Sequence, residues 1–329
     1  MKTGKISETV LKRSVIHQIE KRREEVLAGA AVGEDCAMIE FAGDEVFVMT
    51  TNPILGVEIN IGLPPVYRVA NNLAGSGAEP VGVMSTILLP ENFEESELRE
   101  LMRQLEETAA FLNMEVIGGH TEVMAAVREP VLSITGIGKV KKGSRLLTGG
   151  ACPGQDVVLS KWIGIEGTAV LAKRKEKELR ARFSEAFVEQ AQGFLQYISV
   201  VPEAAVAVKS GVSAMHDVSE CGIFGALWEL AEASGVGLDI DLKKIPVRQE
   251  TIEVCEVFDV NPYFMPSGGA ILMVSDNGHD LVYQLEAQKI PARVIGKVTE
   301  GNDRIVRNEE EMRYLEPPRL EYQYNFYEG

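Results

Sequence analysis

Apolar and polar positions follow two rhythms along this chain. Leu98, Leu101, Met102, Leu105, Ala109 and Leu112 recur every three or four residues, which predicts a helix with one buried face. Asn92 followed by Glu95 reads as its capping pair. After Pro64-Pro65, the positions Val66, Val69, Ala70, Leu73 and Ala74 repeat the helical period, and Gly75 and Gly77 close it. Between these lie short apolar runs. CAMIEF and EVFVMTT, separated by Ala42-Gly43-Asp44, predict a hairpin. VGVMSTILLP, MEVIGG and VLSITGIGKV predict buried strands. The order is ββαβαββ, a mixed sheet with helices on one face.

Near residues 141–155 the text changes to KKGSRLLTGGACPGQ, rich in Gly, Lys and Pro, as a connector would be. A second α/β unit follows. DVVLS, SAMHDV, VGLDIDL, GAILMVSD and ARVIGKV read as strands; EGTAVLAKR, AFVEQAQGFLQYI, PEAAVAVKS and IFGALWELAEASG read as helices. The fold class is α/β (α+β) with two domains, 1–145 and 146–329. The acidic, aromatic tail from about residue 300 is expected on the surface of its own domain or of a partner subunit.

A length of 329 residues suits about two domains. The formal charge of −16 repels nucleic acid, so a sequence-independent phosphate-backbone binder is disfavoured. A nucleotide ligand would require divalent cations or local dipoles. No apolar run approaches the ~20 residues that span a bilayer, and the start of the chain lacks a secretory pattern, so the expected location is cytoplasmic. Cys36, Cys152, Cys221 and Cys255 are scattered, as reduced thiols are.

Neither a Walker A loop nor a strand followed by G-x-G-x-x-G occurs. The chemistry that remains sits at element ends. Gly33-Glu34-Asp35 precedes the first run, Thr50-Thr51-Asn52 ends the second, Asn71-Asn72 lies in the first helix, and Gly118-Gly119-His120-Thr121-Glu122 ends a later strand. Each alone is weak and reads more readily as a solvated loop, since Gly, Asn and Asp dominate loops. Their concentration in one domain is the signal, because ligands gather at strand ends of α/β sheets. Glu34, Asp35, Asn52 and Asn72 are oxygen donors suited to Mg²⁺, and paired glycines let backbone N–H groups approach phosphate.

These pieces, with GKIS, VGEDCAMI, MTTNPI, VANNLAGSGAEPVGV, VIGGHTEV, PGQDVVLSKWIGIEGTAVLA, HDVSECGIFGALWELAEASGVGLDID and NPYFMPSGGAILMV, resemble the PurM-like (AIR synthase-related) superfamily over about residues 4–298. Its members include aminoimidazole ribonucleotide synthetase, thiamine-monophosphate kinase, selenophosphate synthetase and the hydrogenase maturation factor HypE, and the HypE-like branch looks closest. The resemblance implies ATP and Mg²⁺ (or Mn²⁺) as cofactors. It implies a homodimer through the N-terminal domains with a barrel-like interface, and a C-terminal domain that helps bind substrate. Carried onto this sequence, Glu34 and Asp35 would hold metal. Thr51, Asn52, Asn71, Asn72, Gly118, Gly119 and Thr121 would contact the nucleotide, and His120, Glu122, His216 and Asp217 would be catalytic.

The chain departs from the family pattern in charge. Asn52, Asn72 and His120 stand where relatives often carry acids, which weakens hard-cation binding and tilts a His ligand toward softer ions. His120 is open to three readings: metal ligand, phosphate donor, or partner of a backbone carbonyl. The last cysteine is Cys255 and the sequence ends YNFYEG, so the reaction of true HypE on its own C-terminal Cys is not expected. In the second domain Asp217 or Ser219 could instead cap the following helix. Lys161 and Trp162 could face the site, Trp162 reading better as core. Arg68 could meet phosphate or lie on the surface, and Cys221 could be a nucleophile or a small buried residue. The expected function is ATP-dependent phosphoryl activation of an amide, carbamoyl-type or small-molecule oxygen. The alternatives are a non-catalytic binding protein and a kinase of the thiamine-monophosphate type.

Overall fold

The computed structural model describes residues 4–5, 8–28, 38–55, 63–219 and 221–317. The chain divides into two compact units, Met1–Leu73 with Ala78–Arg145, and Ala74–Gly77 with Leu146–Gly329.

The first unit carries a mixed five-stranded sheet. Its strands are β1 (Gly4–Lys5), β4 (Glu45–Leu55), β5 (Glu79–Leu89), β6 (Glu115–Val123) and β7 (Val131–Lys141), in the order β1-β6-β5-β7-β4. β5 and β6 run parallel and the other pairs antiparallel. Helix Glu95–Phe111 buries Leu98, Leu101, Met102, Leu105 and Ala109, the stripe that its spacing predicts. Helix Val66–Gly75 packs on β7, where Gly136 clears space: a β-carbon there would lie 2.7 Å from that of Val69.

Two local expectations are corrected. The 36–41/45–51 hairpin does not form, because β3 (Met38–Ile39) pairs with β2 (Val26–Ala28), and β4 pairs along its whole length with β7. β4 is the edge strand of its sheet, paired on its β7 side alone among the described residues. The longer helix is capped by Glu94, not Asn92: extended Glu94 donates its backbone N–H to the Glu97 carboxylate at 2.7 Å. Glu95 instead accepts from Arg13 and Ser14.

The second unit has a seven-stranded sheet. β8 (Asp156–Ser160), β9 (Ala214–Val218), β10 (Gly237–Asp241), β11 (Ala270–Ser275), β12 (Ala292–Thr299), β13 (Arg304–Asn308) and β14 (Glu311–Tyr314) are ordered β14-β13-β10-β12-β8-β11-β9. Its inner strands are apolar on both faces. Val157 and Leu159 pack with Ile223, Leu227 and Leu230 of helix Gly222–Ser234. Val158, between them, packs with Ala204 and Ala207 of helix Val201–Lys209 and with Leu281 and Leu285 of helix Gly278–Ala287. The start of the tail joins this sheet. β13 runs parallel to β10, Val306 and Leu315 enter the core, and the Arg304 guanidinium lies 3.8 Å from the Trp228 ring centre. Among the described residues no helix is long and apolar enough to cross a membrane.

Candidate functional site

Strand register decides where the polar motifs of the first unit point. In β4, β7 and β5, Asn52, Ile134 and Ser85 lie side by side, and Ile134 and Ser85 are buried. One position along, Pro53, Ser133, Thr86 and, on β6, His120 form the next row. Successive side chains on a strand alternate between faces. Asn52 therefore faces the helix side of the sheet, and His120 faces the other side.

On the helix side the Asn72 carboxamide, one turn before the end of helix Val66–Gly75, donates to Thr50 Oγ1 and to Asn52 Oδ1, each at 3.1 Å. Asn71 is buried beside it in the sequence, and Thr121 is buried on β6. This cluster ties helix to strand through neutral groups. The oxygens suit hydrogen bonds from water or a ligand, and charge for a divalent ion within the expected set would have to come from Glu34 and Asp35. Those two, with Cys36, lie outside the described residues. Among the described residues no three His, Cys, Asp or Glu side chains gather as metal ligands do.

On the other face His120 Nε2 lies 3.1 Å from Glu122 Oε2, with the His120 side chain 45% exposed. Thr51, Ser133 and Thr135 form a hydroxyl cluster on this face, Thr135 donating to Thr51 at 3.2 Å. Phe47 and Met49, 45% and 57% exposed, extend it along β4. The structure thus brings together Asn52 and Asn72, and separately His120 and Glu122, on opposite faces of one sheet.

The double glycine has an internal reason. Gly119 has φ +154°, and a β-carbon on it would sit 2.1 Å from Ser85 O of the neighbouring strand. Close backbone approach between β5 and β6 requires glycine here. At Gly118 the same carbon would meet only the Met84 methyl at 3.7 Å.

In the second unit His216 and Asp217 lie on β9. His216 Nε2 is 2.8 Å from Glu229 Oε2 on helix Gly222–Ser234. Burial opposes a charged imidazole, but the hydrogen bond to Glu229 and the charges of Asp217 and Glu229 outweigh it and raise the His216 pKa. Burial raises that of Asp217, with the His216 charge pulling the other way. The N-cap position of this helix is Cys221, whose side chain makes no cap hydrogen bond.

Lys161 faces inward. Its ammonium donates to Tyr197 O at 2.7 Å and Ser199 O at 2.6 Å and meets Glu203 Oε1 at 2.5 Å. Desolvation lowers its pKa and raises that of Glu203. Nothing in the sequence marks Glu203 as its partner beyond an acid at the start of an apolar helix. Trp162 is core, 4% exposed, with Arg248 4.3 Å from its ring centre. Cys221 is half-buried and Cys255 buried, where desolvation pushes the Cys255 thiol up to about 12 and leaves it inert as a nucleophile.

Residues 33–140 match the family described as AIR synthase related protein, N-terminal domain, and residues 152–308 match the C-terminal domain of the same family. The carbamoyl dehydratase HypE of Cupriavidus necator is 25% identical over 293 residues, covering 84% of this chain and 79% of the relative. The thiamine-monophosphate kinase of Pyrococcus horikoshii is 24% identical over 304 residues, covering 87% and 88%. A crystal structure of the hydrogenase maturation protein HypE in complex with ATP superposes with a TM-score of 0.78 at 17% identity, covering 94% of this chain and 93% of that one. That likeness shows the two-sheet fold.

Proposed function

The chain belongs to the AIR synthase related family, and from that premise we propose that it binds ATP through its first unit and uses it to activate an amide or carbamoyl-type oxygen. The observation that carries this reading is the Asn72–Asn52–Thr50 cluster, built where β4 meets the helix Val66–Gly75. Asn52, Asn71, Asn72 and Thr121 orient the nucleotide phosphates and their water, with Glu34 and Asp35 as the anionic members that hold Mg²⁺ or Mn²⁺. The metal's contribution is to neutralise phosphate charge.

In the reaction the substrate oxygen attacks the γ-phosphorus, the bond to the β–γ bridging oxygen breaks, and ADP leaves with that electron pair. The activated group then gives up its two N–H protons as the C–O bond breaks, so phosphate leaves with the substrate oxygen and a C≡N bond forms. Catalysis of phosphoryl transfer is mostly positioning and charge neutralisation, so such a site needs no conspicuous nucleophile. The relative from Cupriavidus is named for carbamoyl dehydration, an outcome of this type.

The open sheet face, with Phe47, Met49, Thr51, His120 and Glu122, meets a second copy of the chain, and His120 and Glu122 look into that seam. His216, whose Nε2 lies 2.8 Å from Glu229 Oε2, and Asp217 beside it handle protons on the substrate side.

A second reading is supported by one observation. The Asn72 amide bonds directly to Asn52, so the pair holds together without a cation, where two carboxylates at that distance would repel. This favours a protein that binds nucleotide and does not turn it over. Thermal-shift and phosphate-release assays with ATP and Mg²⁺ or Mn²⁺, offering a carbamoyl compound or thiamine monophosphate as acceptor, decide between them. Phosphate release by the native chain supports the enzyme. Hydrolysis appearing only in Asn52→Asp/Asn72→Asp supports the binding protein. Neither stabilisation nor turnover with either ion removes both.

A further inference from the structure

A cleft of about 490 Å³ opens in the second unit, lined by Lys161, Lys243, Arg248, Arg293, Trp162 and Tyr263 among others. It lies where β8 and β10 end and β12 begins, since both strands run antiparallel to β12. Ligands collect at such strand ends in α/β sheets.

Its charge runs against that of the chain. The formal net charge is −16, yet among the described residues this lining holds four cations and no carboxylate. Two of the four are already neutralised, Lys161 by Glu203 and Lys243 by Glu309. Arg248 and Arg293 have no carboxylate partner among the described residues. Arg248 is held over the Trp162 ring, 4.3 Å from its centre, which fixes its planar fork. The Trp162 indole N–H, although buried, has no hydrogen-bond partner among the described residues. Tyr263 stacks on Phe224 at an interplanar angle of 7°, so the opposite wall is rigid.

We infer that this cleft is a binding site for a small-molecule oxyanion, a terminal phosphate or carboxylate gripped by Arg248 and Arg293 beside the Trp162 ring. Guanidinium forks match both groups with paired hydrogen bonds. The site stands on the second unit alone and does not depend on the nucleotide reading.

The test uses the full chain carrying Trp228→Phe. Of the two tryptophans, this leaves Trp162 as the sole reporter. Its emission is titrated with inorganic pyrophosphate and, separately, with citrate in metal-free buffer. A saturable change with either anion is expected, and the more potent one identifies the group. Arg293→Gln, at an exposed position, weakens it by about tenfold or more. Arg248→Gln does the same, and Asn72→Ala in the first unit leaves it unchanged. No saturable change with either anion, or a response that survives both arginine substitutions, overturns the assignment.

Discussion

Replacing Lys161 with Met is expected to destabilise the second unit more than any other single change considered. The ammonium is 8% exposed and meets Glu203, which is 1% exposed, while its other donors satisfy Tyr197 O and Ser199 O. Removing it strands a carboxylate in a dry interior, a loss of about 3–5 kcal/mol. Lys161 has φ +51°, in the left-handed region. Methionine is equally disfavoured there, so the backbone contribution cancels and the difference reports the ion pair. For a unit of this size, the loss corresponds to a fall in Tm of roughly 6–20 °C. Both tryptophans, Trp162 and Trp228, lie in this unit, so their emission during urea unfolding follows it selectively. The double variant Lys161→Met/Glu203→Leu should recover most of the loss, because an apolar pair often replaces a buried ion pair at little cost. A single-variant loss below about 1 kcal/mol, or a double variant no better than the single, refutes the reasoning.

Other outcomes follow from the same geometry. Gly119→Ala should cost about 3 kcal/mol or more and Gly118→Ala about 1 or less, by urea unfolding followed with circular dichroism, because only the first drives a carbon into Ser85 O. Arg23 donates to Glu25 and Glu79 and, with Lys139, holds Glu25 at a pKa of about 2. That stabilisation is present above pH 4.5 and is lost as pH falls toward 2, so the penalty of Arg23→Met, about 3 kcal/mol at pH 7, should shrink over that window. The raised pKa of His216 means its contribution is full below pH 6.5 and lost as pH rises through the folded value. Glu229→Gln should flatten that slope in tryptophan-monitored unfolding. Met49→Lys, on the open face of β4, should shift a dimer to monomer in light scattering, and an unchanged mass counts against the proposed seam.

Much of the architecture was legible because it is local. The stripe from Leu98 to Ala109 and the run from Val66 to Ala74 follow helical period, and both are buried as read. What escaped was set by distant partners. β4 looked like half of a hairpin with its neighbour but finds β7 instead. Residues 304–314 looked like surface tail but add two strands to the second sheet. Helices Gln249–Phe258 and Gly278–Ala287 were not read, being half-polar segments between clear strands. The site was legible as residue types and not as geometry. Asn52 and His120 both look like strand-end polar groups, yet register gives them opposite faces. A one-residue difference in parity, invisible in either motif, decides it. Likewise the glycine pair suggested room for phosphate, and in the fold Gly119 makes room for Ser85 O.

The most direct test of the nucleotide claim is calorimetric titration of the full chain with ATP, with Mg²⁺, with Mn²⁺ and without metal, repeated in Asn52→Ala and Asn72→Ala. The account predicts saturable binding to the native chain that weakens by about tenfold in each variant. Absence of binding under all three conditions, or affinity indifferent to both asparagines, would contradict it.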